Sequence, residues 1–127
     1  MKLARQLNPD DQILLIANSV NEKFPDATGQ CEIISSEVVR RLTADGIRAE
    51  HAVGEFQLDQ PDAFNYMDGD DEDGQDLYQV NHDWVEIGTK ILDISARQFR
   101  KSVSVDLPDV VYIDYNHPLY TRYQRLN

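Results

Sequence analysis

The sequence predicts an α+β domain, because two segments with helical periodicity precede several segments in which apolar and polar residues alternate. Residues 9–24 and 29–44 carry apolar side chains three or four positions apart, which is typical of amphipathic helices. After Gly46 the period changes to two, which is typical of strands. We therefore expect two helices packed on an antiparallel sheet, in a single domain that spans residues 1–127.

The first helix is predicted to begin at Asn8-Pro9-Asp10 and to stop before Pro25. The second is predicted over residues 29–44, with Thr28 as N-cap and Gly46 as the C-terminal stop. Each helix should bury one apolar stripe. These stripes are Ile13, Leu14, Ile16, Ala17, Val20 and Phe24 in the first helix, and Ile34, Val38 and Leu42 in the second.

Four strands are predicted after the helices. Gly88-Thr89 is a two-residue hairpin signal, so the second and third strands should be joined by a tight turn. A helical turn is expected at "ARQF", and the tyrosine- and arginine-rich tail receives no assignment. The predicted strands cover residues 47–58, 77–87, 90–95 and 109–115.

The composition limits the possible partners. The chain carries 23 acidic and 12 basic residues, for a formal net charge of −11. A field of that sign repels phosphates, so nucleic acid is not an expected partner, whereas a basic protein is a possible one. The longest apolar run is too short to cross a bilayer and the start lacks a signal-peptide pattern. We expect a cytoplasmic protein without a membrane partner.

The segment 59–76 is rich in aspartate and glycine and invites comparison with a calcium-binding loop. That pattern fails, because taking Gly74 as the sixth position places Gly69 first and Val80 last, where carboxylates are required. We expect a solvated acidic loop, or a lid over a site, and no metal.

Cys31 is the only cysteine, which excludes an internal disulfide and a four-cysteine zinc site. The sequence places it in the first turn of the second predicted helix. There the helix dipole and the unsatisfied backbone N–H groups favour a thiolate, which is the nucleophilic form of cysteine. The alternative is that Cys31 is a small apolar core residue, as lone cysteines often are.

A cysteine nucleophile needs a base, and the base needs an orienting partner. With Gly88-Thr89 as the hairpin loop, Trp84 pairs with Asp93, so His82, Trp84 and Asp93 point to the same face. His82 and Asp93 are then diagonal neighbours whose side chains can meet, in the arrangement of a general base with its carboxylate. A purely structural histidine–aspartate hydrogen bond is the alternative.

The other two histidines are weaker candidates for the general base. His51 lies on the first predicted strand and is the rival base. Together with His82 and nearby aspartates it would be a metal site instead, although no tight ligand spacing favours this. His117 precedes Pro118 in a turn-like segment and is expected to be structural.

Three blocks of the chain resemble the transglutaminase-like and papain-like cysteine enzymes: "GQCEIISSEVVRRL", "NHDWVEIG" and "KILDISARQF". The resemblance covers about residues 28–100. It implies a core in which a Cys-bearing helix packs on an antiparallel sheet. It also implies a triad of Cys31 as nucleophile, His82 as general base and acid, and Asp93 as orienter. The implied reactions are peptide or amide hydrolysis, deamidation, or acyl transfer to an amine, on a peptide, protein or small amide and without a cofactor.

The oxyanion site is less clearly marked. Papain-like peptidases carry a glutamine several residues before the cysteine, but Pro25 stands six residues upstream here and the nearest amide is Gln30. Gln30 and the Cys31 backbone N–H are therefore the candidate donors. Trp84 is a candidate wall of the substrate site, with core packing as the alternative. The other class of function is a non-catalytic acidic module, of inhibitor or DNA-mimic type, which predicts that Cys31 is buried and remote from His82.

Overall fold

The computed structural model describes residues 8–60 and 78–127, and its described part is an α+β fold, as the sequence predicts. Two α-helices are followed by a sheet of five strands and two short 3₁₀ segments. The elements are α1 (Pro9–Lys23), α2 (Cys31–Ala44), β1 (Glu50–Gln57), β2 (Gln79–Ile87), β3 (Lys90–Asp93), a first 3₁₀ helix (Ala96–Ser102), β4 (Val111–Ile113), a second 3₁₀ helix (Pro118–Arg122) and β5 (Tyr123–Arg125).

All neighbouring strands are antiparallel, in the order β4-β3-β2-β1-β5. The hairpin register predicted from Gly88-Thr89 is the one observed, with Ile87 opposite Lys90 and Glu86 opposite Ile91. Gly88 has a φ of 62°, the left-handed conformation that such a turn needs. The sequence therefore fixes which side chains of β2 and β3 share a face.

The two faces of the sheet are covered differently. On one face, α1 and α2 pack their buried stripes, including Ala17 and Val38, against Val85 and Leu92 of the sheet. On the other face, the first 3₁₀ helix and the loops around β4 enclose a second core. That core contains Ala52, Phe56, Leu58, Val80, Trp84, Ile91, Ala96, Phe99, Val103, Leu107, Val111, Ile113, Leu119 and Tyr123.

Helix α1 has the predicted bounds. The Asn8 side chain accepts a hydrogen bond from the Asp11 backbone N–H at 2.8 Å, which caps the first turn, and Pro9 occupies the first helical position. The helix ends before Pro25, as expected. Of its predicted stripe, Ile13, Ala17 and Val20 are buried, whereas Leu14, Ile16 and Phe24 are only half-buried.

The predicted start of α2 is corrected by two residues. Gly29 has a φ of 71° and turns the chain, so Gln30 rather than Thr28 is the N-cap, and Cys31 is the first helical residue. Thr28 instead donates its backbone N–H to the Asp26 carboxylate at 3.0 Å. At the other end Gly46, with a φ of 83°, follows the last turn and stops the helix as predicted.

The strands are shorter than predicted at several ends. β3 stops at Asp93, because the Asp93 carboxylate accepts the backbone N–H groups of Ser95 and Ala96 and turns the chain into the first 3₁₀ helix. The expected helical turn at "ARQF" is the start of that helix. Most of the acidic segment 59–76 lies outside the described residues, so its expected role as a loop or lid stays a prediction.

The tail that received no assignment supplies an edge of the sheet. His117 caps the second 3₁₀ helix by accepting the Leu119 backbone N–H at 3.0 Å, which agrees with its expected structural role. β5 then pairs with β1 opposite Gly54. Among the helices that the structure describes, none is both long and apolar enough to cross a membrane.

Candidate active site

His82 and Asp93 form a buried pair, as the hairpin register predicts. The His82 Nε2 atom lies 2.7 Å from Asp93 Oδ2, and both side chains are almost completely inaccessible to solvent. An ionised carboxylate only accepts hydrogen bonds, so Nε2 carries the hydrogen and donates it to Asp93. The imidazole is therefore fixed in orientation, with Nδ1 on the opposite side of the ring.

The carboxylate of Asp93 is held by five hydrogen bonds. Oδ1 accepts from the Ser95 backbone N–H at 2.9 Å, the Ser95 hydroxyl at 3.0 Å and the Ala96 N–H at 3.1 Å. Oδ2 accepts from His82 and from the Tyr123 hydroxyl at 2.8 Å. A buried charge is tolerated only when it is paired and hydrogen-bonded in this way. Asp93 is thereby a rigid anchor for the imidazole.

Burial and pairing act in opposite directions on this pair. Burial alone is the largest influence and lowers the pKa of His82, but the charge and hydrogen bond of Asp93, with a further contribution from Cys31, raise the pKa to about 9. For Asp93, burial raises the pKa, yet His82, Ser95 and Tyr123 together hold it below its usual range. The pair is thus an imidazolium and a carboxylate at neutral pH.

An aromatic cluster surrounds the imidazole. The rings of Phe56 and Phe99 meet His82 edge to face, with centroids 5.8 Å and 5.0 Å away, and the Trp84 ring lies at 6.0 Å. Trp84 is completely buried and its indole N–H donates to Glu86. Trp84 therefore packs behind His82 in the core, the alternative considered above, and does not face an open cleft as a wall would.

Cys31 lies at the tip of α2 and is half-buried. Cys31 lies close enough to His82 to contribute to the raised pKa of the imidazole, and its sulfur lies 4.0 Å from the Asp83 carboxylate. Successive residues of β2, such as His82 and Asp83, point to opposite faces of the sheet. A third group can contact both side chains only if it lies beside the edge of the strand. β3 pairs with β2 only between Val85 and Ile87, which leaves the edge of β2 near residues 82 and 83 for Cys31.

The Nδ1 atom of His82 is the part of the ring not used by Asp93. It is buried and finds no hydrogen-bond partner among the residues that the structure describes. Leaving a buried polar atom unpaired is costly, so such an atom calls for an explanation. Its neighbour Cys31 supplies one, since a sulfur that loses a proton to Nδ1 becomes a paired thiolate.

The start of α2 offers backbone donors to an anion. Gln30 provides the N-cap through its backbone, and within the described residues no side chain caps the first turn. The N–H groups of the first helical residues, beginning with Cys31, are therefore free to donate. Among residues 8–60 and 78–127 the Gln30 side chain has no hydrogen bond that would place it at an oxyanion, so its assignment as a donor stays a prediction.

The first 3₁₀ helix is hydrogen-bonded to the segment that precedes α2. Arg97 donates to the carbonyl oxygens of Phe24 and Pro25, and Gln98 Oε1 accepts the Gly29 backbone N–H at 3.1 Å. This last bond fixes which end of the carboxamide is oxygen. The Nε2 atom of Gln98 is buried and has no partner in the described ranges 8–60 and 78–127. Gln98 is thus a second unpaired donor close to the start of α2.

A cavity of about 440 Å³ adjoins this region. It lies between the loop that precedes α2 and the first 3₁₀ helix, so it opens beside the segment that carries Cys31. Three cations and one carboxylate line it, a local positive charge in an acidic chain. The lining residues are Pro25, Asp26, Ala27, Thr28, Arg97, Gln98, Arg100 and Lys101.

His51, the rival base, takes a different position. Its Nε2 atom lies 2.6 Å from Asp83 Oδ2, and the carboxylate stands between this ring and the Cys31 sulfur. His51 therefore does not reach the thiol as a base would. His51 and His82 are thus each paired with a different aspartate, and the described part of the chain contains no group of three or more potential metal ligands.

Three residues of the site were missed from the sequence: Tyr123, Gln98 and Asp83. The "ARQF" block carried a signal for Gln98, and the alternation of β2 placed Asp83 beside His82. Tyr123 lies thirty residues beyond Asp93 in a segment without clear periodicity, so no local pattern could have linked the two.

A scan against protein-family models, a search of curated proteins and a search of solved structures each found no match to this chain.

Proposed function

We propose that this chain is a cysteine-dependent acyl-transfer enzyme of the transglutaminase-like or papain-like type. Cys31 is the nucleophile, His82 the general acid and base, and Asp93 the residue that orients His82. Its substrate is a peptide, a protein or a small amide. The finer fold assignment is part of the proposal, which rests on a Cys-bearing helix beside the His- and Asp-bearing strands of an antiparallel sheet.

One observation carries the proposal. A completely buried imidazole is fixed through Nε2 by Asp93, and its other nitrogen, which has no hydrogen-bond partner within residues 8–60 and 78–127, lies near the only thiol of the chain. A histidine that served only the fold would be expected to have both nitrogens satisfied. A nucleophile, a base and an orienter in this order is the arrangement that covalent catalysis requires.

The first half of the reaction follows from the charge of the pair. Because the pKa of His82 is raised to about 9, the ring holds a proton at neutral pH and pairs with the Cys31 thiolate that we propose as the nucleophile. The Cys31 thiolate attacks the carbonyl carbon, and the carbon–oxygen double bond opens to an oxyanion. The Cys31 backbone N–H and the Gln98 carboxamide are the proposed donors to this oxyanion. His82 then protonates the departing amine and a thioester remains.

The second half restores the enzyme. Neutral His82 accepts a proton from water or from an amine as the nucleophile attacks the thioester carbon. The carbon–sulfur bond breaks, and the sulfur departs as a thiolate that pairs again with the protonated His82. Water gives hydrolysis, and an amine gives acyl transfer.

The alternative of a non-catalytic acidic module rests on the charge of −11. It predicts a buried cysteine remote from His82. The half-buried Cys31 and its interaction with His82 favour the enzyme proposal over that alternative.

Alkylation by iodoacetamide tests the proposed function, since the single cysteine makes the label specific. The folded protein should be labelled stoichiometrically below neutral pH, faster than the chain denatured in urea, whose thiol is mostly protonated there. The His82→Ala variant should lose this advantage, while His51→Ala should keep most of it. Circular dichroism must show that both variants are folded. Equal rates for the folded and denatured wild-type protein would overturn the proposal.

A further inference from the structure

Cys31 stands between two pairs of carboxylate and imidazole. On one side lies the ring of His82, backed by Asp93, and on the other lies the carboxylate of Asp83, backed by His51. The two pairs face the sulfur in opposite order: an imidazole on the first side and a carboxylate on the second. The proposed function uses only the first pair.

The hydrogen bond of the Asp83 pair is about as short as that of the His82–Asp93 pair, but the Asp83 pair is less buried. Asp83 Oδ2 is bonded to His51 Nε2 at 2.6 Å, and His51 Nδ1 lies 3.4 Å from the Ser36 hydroxyl. The side chains of Asp83 and His51 are 15% and 27% exposed, compared with 0% and 1% for His82 and Asp93. The surroundings of Cys31 are therefore more accessible to water on the Asp83 side than on the His82 side.

The surroundings of Asp83 change during the proposed reaction. In the resting enzyme its Oδ1 atom lies 4.0 Å from the Cys31 sulfur, so a thiolate there places a second negative charge beside the carboxylate. Once the sulfur is acylated it carries no charge, whereas the carboxylate keeps its own. The part-buried carboxylate oxygen beside the thioester then accepts a hydrogen bond from the next donor to arrive, which is the incoming nucleophile.

We propose that Asp83, held in place by His51, positions the nucleophile that resolves the thioester at Cys31. This inference rests on the proposed function. One hydrogen of the water, or of a neutral amine, is bound by Asp83 Oδ1, and a second passes to His82 as the oxygen or nitrogen attacks the thioester carbon. The carbon–sulfur bond breaks with its electron pair on sulfur, and the protonated His82 pairs with the thiolate.

The position of Asp83 predicts opposite effects on the two halves of the reaction. A negative charge 4.0 Å from the sulfur repels a thiolate, so Asp83 does not assist the first attack. It assists only after the sulfur is acylated. A residue that merely supported the fold of the site would affect both halves alike.

The test follows p-nitrophenyl acetate by stopped flow, where the burst of p-nitrophenol reports acylation and the later steady rate reports release of acetate from the enzyme. The Asp83→Asn variant should keep or increase the burst rate and the rate of alkylation by iodoacetamide. Its steady rate should fall roughly 10- to 100-fold, because the nucleophile is no longer held at the carbon. Acetyl-enzyme should accumulate and be visible by mass spectrometry of the intact protein.

Two further variants complete the design. Asp106→Asn removes the same charge from an exposed aspartate at a different cavity and should leave both rates unchanged. His51→Phe frees the Asp83 side chain from its anchor and should lower the steady rate while keeping the burst, which tests the inference even where Asp83→Asn does not fold. Equal loss in both phases, or no loss in either, would overturn the role of Asp83. An absence of both burst and rapid alkylation in the wild-type protein would overturn the proposed function itself.

Discussion

The Tyr123 hydroxyl donates a 2.8 Å hydrogen bond to the Asp93 carboxylate. The last described strand thus supplies one of the hydrogen bonds that hold a residue thirty positions earlier. Both side chains are buried. Burial is also the main reason that the pKa of Tyr123 is raised well above its usual value, with the charge and hydrogen bond of Asp93 adding to it. Tyr123 therefore remains a hydrogen-bond donor throughout the physiological range.

Replacing Tyr123 by Phe should destabilise the fold by about 1–3 kcal/mol, because a buried carboxylate oxygen loses one of its two donors. Unfolding in urea, followed by circular dichroism, measures the change. The matched control is Tyr115→Phe, which alters a ring that is 67% exposed and should change the free energy of unfolding by less than about 0.5 kcal/mol. Equal losses in the two variants would contradict the role given to Tyr123.

The stability supplied by the His82–Asp93 pair should depend on pH. The pKa of His82 rises from 6.5 in the unfolded chain to about 9 in the fold, so its contribution is complete below pH 6.5 and is lost as the pH rises through 9. The pKa of Asp93 is lowered from 3.8, so its contribution is present above that pH and is lost as the pH falls further. The pair should stabilise most between pH 4 and 6.5.

The measurement compares the free energies of unfolding of the wild-type protein and His82→Gln in urea at several pH values. Breaking a buried ion pair costs about 3–5 kcal/mol, and the difference should be of this size near pH 6. It should shrink steadily towards pH 9. A difference that grows above pH 7 would contradict the direction assigned to the His82 pKa.

Changing Gln98 should separate two kinds of reactivity at Cys31. Gln98→Met removes the unpaired amide donor, so acylation by p-nitrophenyl acetate should slow by roughly 100- to 1,000-fold. Alkylation by iodoacetamide forms no oxyanion and should stay within about twofold. Gln98→Glu keeps the oxygen that accepts the Gly29 N–H but lacks the amide donor, and it should still slow acylation. This variant therefore separates the role of the Nε2 donor from that of the Oε1 acceptor. Acylation at the wild-type rate in both variants would remove Gln98 from the oxyanion site.

Gly54→Ala should displace the last strand. A Cβ atom at this position would lie 2.0 Å from the Gln124 carbonyl oxygen, so β5 must move away from β1. We expect a loss of about 3 kcal/mol in the free energy of unfolding. On the same strand, Val53→Ala changes an exposed side chain and should cost less than about 0.5 kcal/mol.

The stability lost in Gly54→Ala should also overlap with the stability lost in Tyr123→Phe. If β5 has moved, the Tyr123 hydroxyl no longer reaches Asp93, and the double variant should be less destabilised than the sum of the two single variants. Simple additivity would show that β5 holds its place despite the added methyl group.

The sequence predicts those parts of the fold that depend on neighbouring residues. The Asn8 cap, the glycine after α2 and the Gly88-Thr89 turn each act within a few positions, and the turn alone determines that His82 and Asp93 share a face. Thr28 was wrong as the N-cap, because Gly29 turns the chain before the helix begins.

Long-range parts of the site had no comparable signal. The alternation along β2 places Asp83 next to His82. Its contact with Cys31, however, depends on where β3 ends and on how α2 crosses the sheet. Tyr123 reaches Asp93 only because β5 pairs with β1 at the far edge. Such contacts are set by the packing of the whole domain, which periodicity does not describe.

The pairing of β5 with β1 also bears on the order in which the site forms. Cys31, His82, Asp93 and Tyr123 are brought together from distant points of the chain, and contacts between distant residues form slowly because they close long loops first. A partly folded chain therefore carries an ordinary thiol, without an imidazole to activate it. Under the proposed function, the reactivity of Cys31 therefore depends on the completed domain, so a newly made chain is not acylated at its thiol before it has folded.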